Sequence, residues 1–272
     1  MPVSTDASSP PRFSIIVAVR NGASGIQGAL DSVFGQAYPN VEVVVMDGAS
    51  TDGTQAVIER NADRIAYWES EPDRGVYHAW NKALDHVSGD WIAFLGADDR
   101  YRVPDALAAV AGAIVADRVR HRVVYADLDK HYQDGRATYE ARGKGWTERR
   151  SRRFRQGIML PHQATFHHVS MFTDLGRFDE RFRIGGDYEF LLRELLDHPP
   201  LHVPLVVADM AGGGLSADRA ALARERHVAR RMHGLVRAPS WASRSLYLEL
   251  AGIWRDVHVR PRVRRFRARV SR

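Results

Sequence analysis

Three short apolar runs, each breaking off into a polar turn, constrain this chain most. Phe13-Ser14-Ile15-Ile16-Val17-Ala18-Val19 runs into Arg20-Asn21-Gly22, and Val41 to Met46 runs into Asp47-Gly48-Ala49-Ser50-Thr51-Asp52-Gly53-Thr54. Trp91-Ile92-Ala93-Phe94-Leu95 runs into Gly96-Ala97-Asp98-Asp99. All three have the length and composition of buried strands. Between the first two, Ile26, Leu30, Val33 and Phe34 recur at helical spacing. Before the third, Val76, Trp80, Ala83, Leu84 and Val87 do the same, and Gly89 ends the pattern. Strand, helix, strand at these lengths is a βαβ unit, which implies a parallel sheet. The polar turns then share the carboxyl edge, where open α/β sheets bind ligands.

Two adjacent carboxylates, Asp98 and Asp99, repel each other unless a cation or a hydrogen-bond network offsets them. A hard divalent ion that bridges to substrate phosphates fits such a pair, and so does a solvated turn capping the next helix. The segment from Asp47 to Thr54 is built of turn and capping residues, so it reads either as a tight turn with a helix cap or as a ligand loop. Neither glycine-containing turn has the spacing of a nucleoside-triphosphate or dinucleotide loop, which argues against an NTPase or a dehydrogenase.

Composition narrows the class further. The 272 residues include no cysteine, so disulfides, zinc-thiolate sites and thiol nucleophiles are excluded. No stretch approaches the roughly 20 apolar residues of a membrane span. Residues 1–12 are rich in Ser and Pro, without the apolar centre of a signal peptide, and read as a disordered leader. The net charge of +6 is unevenly placed: residues 219–272 hold 15 Arg against 3 acidic residues, whereas the other 218 hold 24 Lys and Arg against 30 acidic. The mildly acidic body argues against a nucleic-acid binder.

Further along, Pro104 precedes a helix pattern (Ala106, Leu107, Val110, Ile114, Val115), and Val123 to Asp129 reads as a strand. Tyr132 to Tyr139 suggests a hairpin around Asp134-Gly135. The basic segment from Arg142 to Gly157, with Trp146 inside it, is either a solvated loop or a lid whose arginines meet phosphate oxygens. Asp187 opens a helix with the face Phe190, Leu191, Glu194 and Leu195, as a cap or as a site residue whose pKa the helix N-terminus lowers. Leu201 to Ala208 is a strand, and Ala211 to Ser216 a glycine-rich loop, either mobile over a ligand or a plain linker. In the tail, Val228, Met232 and Leu235 suggest a helix. Leu246, Leu250, Ile253, Trp254 and Val257 then form an apolar stripe before the arginines of 260–272. That stripe suits either docking on an anionic membrane or packing on the body.

These residues resemble the family 2 glycosyltransferases, which adopt the nucleotide-sugar-binding GT-A fold. The resemblance rests on Asp73-Arg74-Gly75-Val76-Tyr77, Asn81-Lys82, Ser88-Gly89-Asp90 and the strand into Ala97-Asp98-Asp99, and above all on the spacing from Asp73 to Asp99. Ser50-Thr51-Asp52 and Pro161-His162-Gln163-Ala164-Thr165-Phe166 add to it, and the whole covers roughly Arg12 to His233. It implies an α/β, mainly parallel, Rossmann-like GT-A sheet over residues 13–218, followed by a helical, Arg-rich extension over 219–272. It also implies roles. Asp187 becomes the catalytic base. Val19, Asn21, Asp47, Ser50, Asp73, Gly75, Asn81, Lys82 and Asp98 become donor-nucleotide contacts. Asp98 and Asp99 hold Mg²⁺ or Mn²⁺, and His162 and Gln163 stand on the acceptor side.

Two positions depart from the pattern: Gly48, where many members have a second Asp, and Gly186, where inverting members usually carry an acid. The Gln-x-x-Arg-Trp motif of processive synthases is absent, which points to transfer of a single sugar. The expectation is an inverting enzyme moving one sugar from a nucleoside diphosphate sugar, a UDP-sugar first, to a hydroxyl of a lipid-linked glycan. By resemblance the setting is bacterial cell-surface polysaccharide or lipopolysaccharide synthesis, in the cytoplasm, peripheral on the inner face of the plasma membrane and without nucleic acid. Two alternatives stand beside it. A metal-dependent nucleotidyltransferase would need a richer phosphate loop than Arg20-Asn21-Gly22-Ala23. A catalytically inactive binding module would keep the fold alone.

Overall fold

The computed structural model describes residues 10–131, 137–140 (backbone), 145–212 and 218–236. The expected hairpin turn at Asp134-Gly135, most of the glycine-rich loop after Ala211 and the apolar stripe and arginines beyond 236 lie outside the described residues. The chain divides into a compact unit, 1–233, and a second, 234–272, of which residues 234–236 are described.

The first unit is built on one sheet. β1 (Phe13–Val19) pairs in parallel with β2 (Val41–Asp47) on one side and β4 (Trp91–Gly96) on the other. The registers Val19↔Asp47 and Ala18↔Gly96 bring the three polar turns level with one another. β1 is buried on both faces, as its unbroken apolar run requires of a central strand covered on both sides. β3 (Tyr67–Ser70) extends the parallel half beyond β2. It is half-buried and carries no apolar run, and the sequence reading did not find it.

Beyond β4 the sheet turns mixed. β8 (Thr165–His168) runs antiparallel between β4 and β6 (Val123–His131), and β9 (Leu201–Ala211) returns parallel to β6. β7 (Ala137–Glu140) pairs antiparallel with β6, as the hairpin pattern implied, and the short β5 (Arg100–Tyr101) borders β9. The order is β3-β2-β1-β4-β8-β6-β9-β5.

Helices α1 (Ile26–Phe34), α2 (Thr54–Arg60), α3 (Val76–Ala83) and α4 (Ala106–Ala116) join or flank the parallel strands. The basic segment read as a loop contains α5 (Glu148–Arg155), capped by the Thr147 hydroxyl, with Phe154 as its buried anchor. α6 (Ser170–Asp174) and α7 (Gly186–Leu195) follow. α8 (Arg219–Met232) belongs to the same compact unit as the sheet, so that unit extends past the 13–218 span read from sequence. The α8 residues expected to face inward, Val228 and Met232, are 37% and 50% exposed, and Glu225 and Ala229 are the buried ones. Residues 10–12, read as leader, are tied down: Asn40 donates to the Pro10 carbonyl, Tyr38 to that of Pro11, and Arg12 pairs with Glu42.

Under the cleft, Trp80 of α3 packs on Phe94 of β4 (ring centroids 4.4 Å) and on Phe178 (5.2 Å), which in turn meets Phe190 of α7 (4.8 Å). Each such ring, fully buried, contributes about 1.5–3 kcal/mol. This cluster fixes α3, β4 and α7 against one another; Asp187 lies in α7, and Asp73 and Asp98-Asp99 lie on the turns before α3 and after β4.

Candidate active site

A cleft of about 1600 Å³ opens at the carboxyl edge of β1 and β4. Its lining includes Val19, Asn21, Asp73, Gly75, Asp98, Asp99, His162, Gln163 and Asp187, so most of the expected site residues meet in one place.

The β1 turn is sewn to the β2 turn. Asn21 accepts from the Thr51 amide (2.9 Å), and its own amide donates to Ser50 Oγ (2.7 Å). The amides of Gly22 and Ala23 reach Thr54 Oγ1 and Asp52 Oδ2 (3.0 Å each). Asp47 is only 2% exposed, and its carboxylate accepts from the Ser50 amide, the Ser50 hydroxyl and the Ser70 hydroxyl. Asp47 and Ser50, expected as nucleotide contacts, are not among the residues lining the cleft. Through its hydrogen bonds Asp47 ties the β2 turn to Ser70 of β3.

Asp73 occupies the cleft wall above it. A Cβ at Gly48 would approach Asp73 Oδ2 to 2.7 Å, so the missing side chain at 48 leaves room for the Asp73 carboxylate. Asp73 Oδ1 in turn accepts from the amide of Gly75 (3.0 Å), which enters α3 at φ +138, a conformation that favours glycine.

Asn81 and Lys82 lie on the side of α3 turned away from the cleft. Asn81 clamps both the amide and the carbonyl of Phe178 (3.0 and 2.9 Å), and Lys82 pairs with Glu69. The residues of α3 that reach the cleft are Val76, Tyr77, Ala79 and Trp80.

On the β4 turn, Asp98 is exposed toward the cleft and Asp99 is 3% exposed. Asp99 accepts from the amides of Ala211 (2.9 Å) and Gly96 (3.2 Å). Burial pushes its pKa up to about 6; the neighbouring Asp98 charge adds to the rise, and hydrogen bonds from Ala211, Gln163 and Gly96 oppose it. The pair thus offers one open carboxylate and one desolvated, destabilised one. That donor set suits a hard divalent cation which takes its remaining ligands from phosphates and water.

A second acidic group lies outside the cleft lining. Asp129, His131 and Asp209 bring possible ligand atoms within 4.8 Å of one another, but Arg102 already pairs with both aspartates.

Asp187 stands at the second position of α7, with Gly185 at the N-cap, so it does not cap the helix. Its side chain is 18% exposed. Burial raises its pKa, against the Tyr188 amide, the Arg226 charge and the Tyr77 hydroxyl. The helix end was expected to lower it, and desolvation outweighs that effect. A raised pKa makes the carboxylate a stronger base. His162 lies 3.7 Å from Asp187 Oδ2, beside the rings of Trp80 (4.9 Å) and Phe94 (5.6 Å). Burial lowers its pKa to about 4, so it is neutral at physiological pH.

Three site features escaped the sequence reading. The Tyr77 hydroxyl donates to the Ile184 carbonyl (2.6 Å) and lies 3.3 Å from Asp187 Oδ1. Glu225 of α8 accepts from the amides of Arg183, Ile184 and Gly185, fixing the approach to Asp187. Arg226 and Arg230 line the cleft on the same side of α8. A buried Glu among arginines has no signature in a hydropathy pattern, because it reads as part of a solvated face.

Glycosyl transferase family 2 matches residues 14–175, more than half the chain. A Mycobacterium bovis protein described as a PGL/p-HBAD biosynthesis glycosyltransferase is 33% identical over 213 residues, covering 76% of this chain and 79% of its own. An uncharacterized glycosyltransferase of Mycobacterium tuberculosis is 32% identical over 214 residues, 78% of this chain and 79% of its own.

The chain belongs to glycosyl transferase family 2.

Solved structures agree on the architecture of this glycosyltransferase. Staphylococcus aureus TarS 1–349 in complex with UDP-GlcNAc superposes with a TM-score of 0.66 at 19% identity, covering 92% of this chain and 74% of that one. The mannosyltransferase PcManGT from Pyrobaculum calidifontis, in complex with GDP-Man and Mn²⁺, gives 0.57 at 21% identity, covering 95% and 84%. The fold is that of the GT-A enzymes, with a mixed, mostly parallel sheet followed by C-terminal helices. Among the described residues no helix is long and apolar enough to cross a membrane.

Proposed function

We propose that this glycosyltransferase moves one sugar, with inversion, from a nucleoside diphosphate sugar to a hydroxyl of a lipid-linked or other glycan acceptor. The observation that carries the reading is the presence of Asp187 and the Asp98-Asp99 turn in the walls of one cleft. Asp187 removes the proton of the acceptor hydroxyl, which displaces the nucleoside diphosphate in a single step. Its raised pKa and partial burial suit that task. The Tyr77 hydroxyl stands 3.3 Å from one oxygen of that carboxylate, and the neutral His162 ring lies beside the other without a hydrogen bond to it. Asp73, with the Val19 and Asn21 turn, holds the nucleoside.

Asp98 and Asp99 would hold Mg²⁺ or Mn²⁺, which when bound neutralises the charge of the departing diphosphate. UDP and GDP sugars are both present in complexes of the structural relatives, and a UDP-sugar is the first donor to test. A role in glycolipid synthesis follows the description of the mycobacterial relative. The arginines of 240–272 would hold the enzyme peripherally on an anionic membrane.

A panel of nucleotide sugars, assayed for binding and for Mg²⁺- and Mn²⁺-dependent hydrolysis, tests this reading. One donor that stabilises the protein and is hydrolysed supports it. Failure of every donor with both metals present would remove it.

A further inference from the structure

The cleft wall formed by α8 is cationic, and two of its arginines are held in place before any ligand arrives. Glu225 anchors the helix by accepting the amides of 183–185, and this turns the next residue, Arg226, and Arg230 one turn later toward the cleft. The stems of both arginines lie against Gly157, where a Cβ would meet each Cδ at 3.9 Å. Arg230 Nε donates to the Arg155 carbonyl (2.8 Å). The Arg226 guanidinium stands 5.9 Å from the centre of the Tyr188 ring, and its charge acts on the Asp187 carboxylate. Its Nε is buried and has no hydrogen-bond partner among the described residues.

An unsatisfied buried donor is costly, and a guanidinium is best satisfied by a phosphate or carboxylate that takes two of its N–H groups at once. In an inverting displacement the base works on the opposite face of the sugar from the leaving group. Arg226, whose charge reaches Asp187, therefore stands on the acceptor side with Arg230 one turn along the helix, while the departing diphosphate belongs to the Asp98-Asp99 side. We infer that Arg226 and Arg230 form an anion subsite, and that the acceptor carries a phosphate ester close to the hydroxyl that reacts. Arg183 and Arg219, also in the cleft lining, extend the same field. This inference rests on the proposed role of Asp187 as base.

Calorimetric titration of the full chain with glycerol 3-phosphate, glycerophosphoglycerol and neutral glycerol tests it, with UDP titrated in parallel. The first two esters should bind and glycerol should not. Arg226→Gln and Arg230→Gln should each weaken ester binding about tenfold or more, the effect of losing a charged hydrogen bond, with UDP affinity within about twofold of wild type. Arg226→Lys, which keeps the charge but not the fork, should fall between. Tighter binding of the diester assigns a phosphodiester. A further gain with dihexanoyl phosphatidylglycerol below its micelle concentration assigns that diester to a lipid rather than a polymer. No ester binding by wild type, or ester binding unmoved by the substitutions, would overturn the subsite. A parallel loss of UDP affinity with unchanged melting temperature would also overturn it, by giving the arginines to the donor diphosphate. Wild type that binds esters but no nucleotide or nucleotide sugar would instead remove the transferase reading and leave the anion subsite standing.

Discussion

The ring of Tyr77 lies where any side chain at position 186 would have to go: a Cβ built on Gly186 comes within 2.8 Å of Tyr77 Cε2. The departure at 186 is therefore matched by a residue on another element. In place of a second acid beside Asp187, this chain has a buried phenol whose hydroxyl sits 3.3 Å from the Asp187 carboxylate. Gly186→Ala should cost about 1–3 kcal/mol, the range for overpacking a tight site. In Tyr77→Leu the same change should cost much less. Chemical denaturation of the two single variants and the double variant measures the coupling, and simple additivity would show that the ring does not exclude the side chain.

Asp187→Asn is nearly isosteric. Transfer should fall by a factor on the order of 10²–10⁴, the usual effect of losing a general base, while donor affinity changes little. Transfer within a few-fold of wild type would place the base elsewhere. Burial lowers the pKa of His162 to about 4, so the pH profile above 5 should carry no limb from this histidine, and His162→Asn should leave its shape unchanged.

Asp99 makes a pH prediction with a definite sign. Its folded pKa of about 6 lies above the ordinary carboxylate value of 3.8, so folding takes up a proton between those limits. Below pH 4 the group costs nothing. Through the interval from 4 to 6 stability is lost as pH rises, and above 6 the penalty stays near its full value, about 3 kcal/mol at 1.36 kcal/mol per pKa unit. Asp99→Asn removes this dependence and adds a pH-independent cost, because one of the amides of Gly96 and Ala211 then loses its acceptor. The difference in unfolding free energy between variant and wild type should therefore shift in favour of the variant from pH 4 to 6 and then level off. Mn²⁺ at pH 7 should stabilise wild type and not the variant. A flat difference across that range would show that Asp99 ionises normally.

Much of this could be read from the chain because strands such as Phe13–Val19 and Trp91–Gly96 are buried on both faces and announce themselves as apolar runs ending in charged turns. Other parts carried no such mark. β3 is a half-buried strand of Tyr, Trp, Glu and Ser, and α5 has one buried residue, Phe154, among arginines. Asn81 fits a donor-binding motif by position, yet a step of one residue from Trp80 turns it out of the cleft and onto the Phe178 backbone. Asp47 is as buried as Val43 in the same strand, and its hydrogen bonds to Ser50 and Ser70 tie it into the loop. Those contacts depend on the paired registers of β1, β2 and β3, which no local pattern encodes.

Glu225 ties α8 to the approach of α7. Its two oxygens accept from three consecutive amides, so Glu225→Gln leaves one acceptor oxygen where two are used and sets an N–H₂ against an N–H. The expected loss is about 2–3 kcal/mol, the scale of charged hydrogen bonds. Because the segment leads directly into Asp187, transfer should weaken more than UDP binding. Equal losses of both would mean that α8 supports the whole cleft rather than its acceptor side.

The last prediction concerns residues 240–272, which lie outside the described structure and carry most of the charge excess. Each arginine near an anionic surface contributes on the order of 1 kcal/mol, partly additive and screened by salt, and the stripe around Trp254 adds an apolar contribution once docked. The full chain should sediment with vesicles containing phosphatidylglycerol at low salt and leave them at high salt. Removing 240–272 should abolish sedimentation and spare donor hydrolysis, since every proposed donor contact lies within the compact unit that ends at His233. Sedimentation that survives the truncation would rule the tail out as the membrane contact. Tight, salt-sensitive binding to DNA in place of vesicles would assign the arginines to nucleic acid. Loss of folded protein on truncation would show that the stripe packs on the body, and the arginines would then be a solvated rim rather than an anchor.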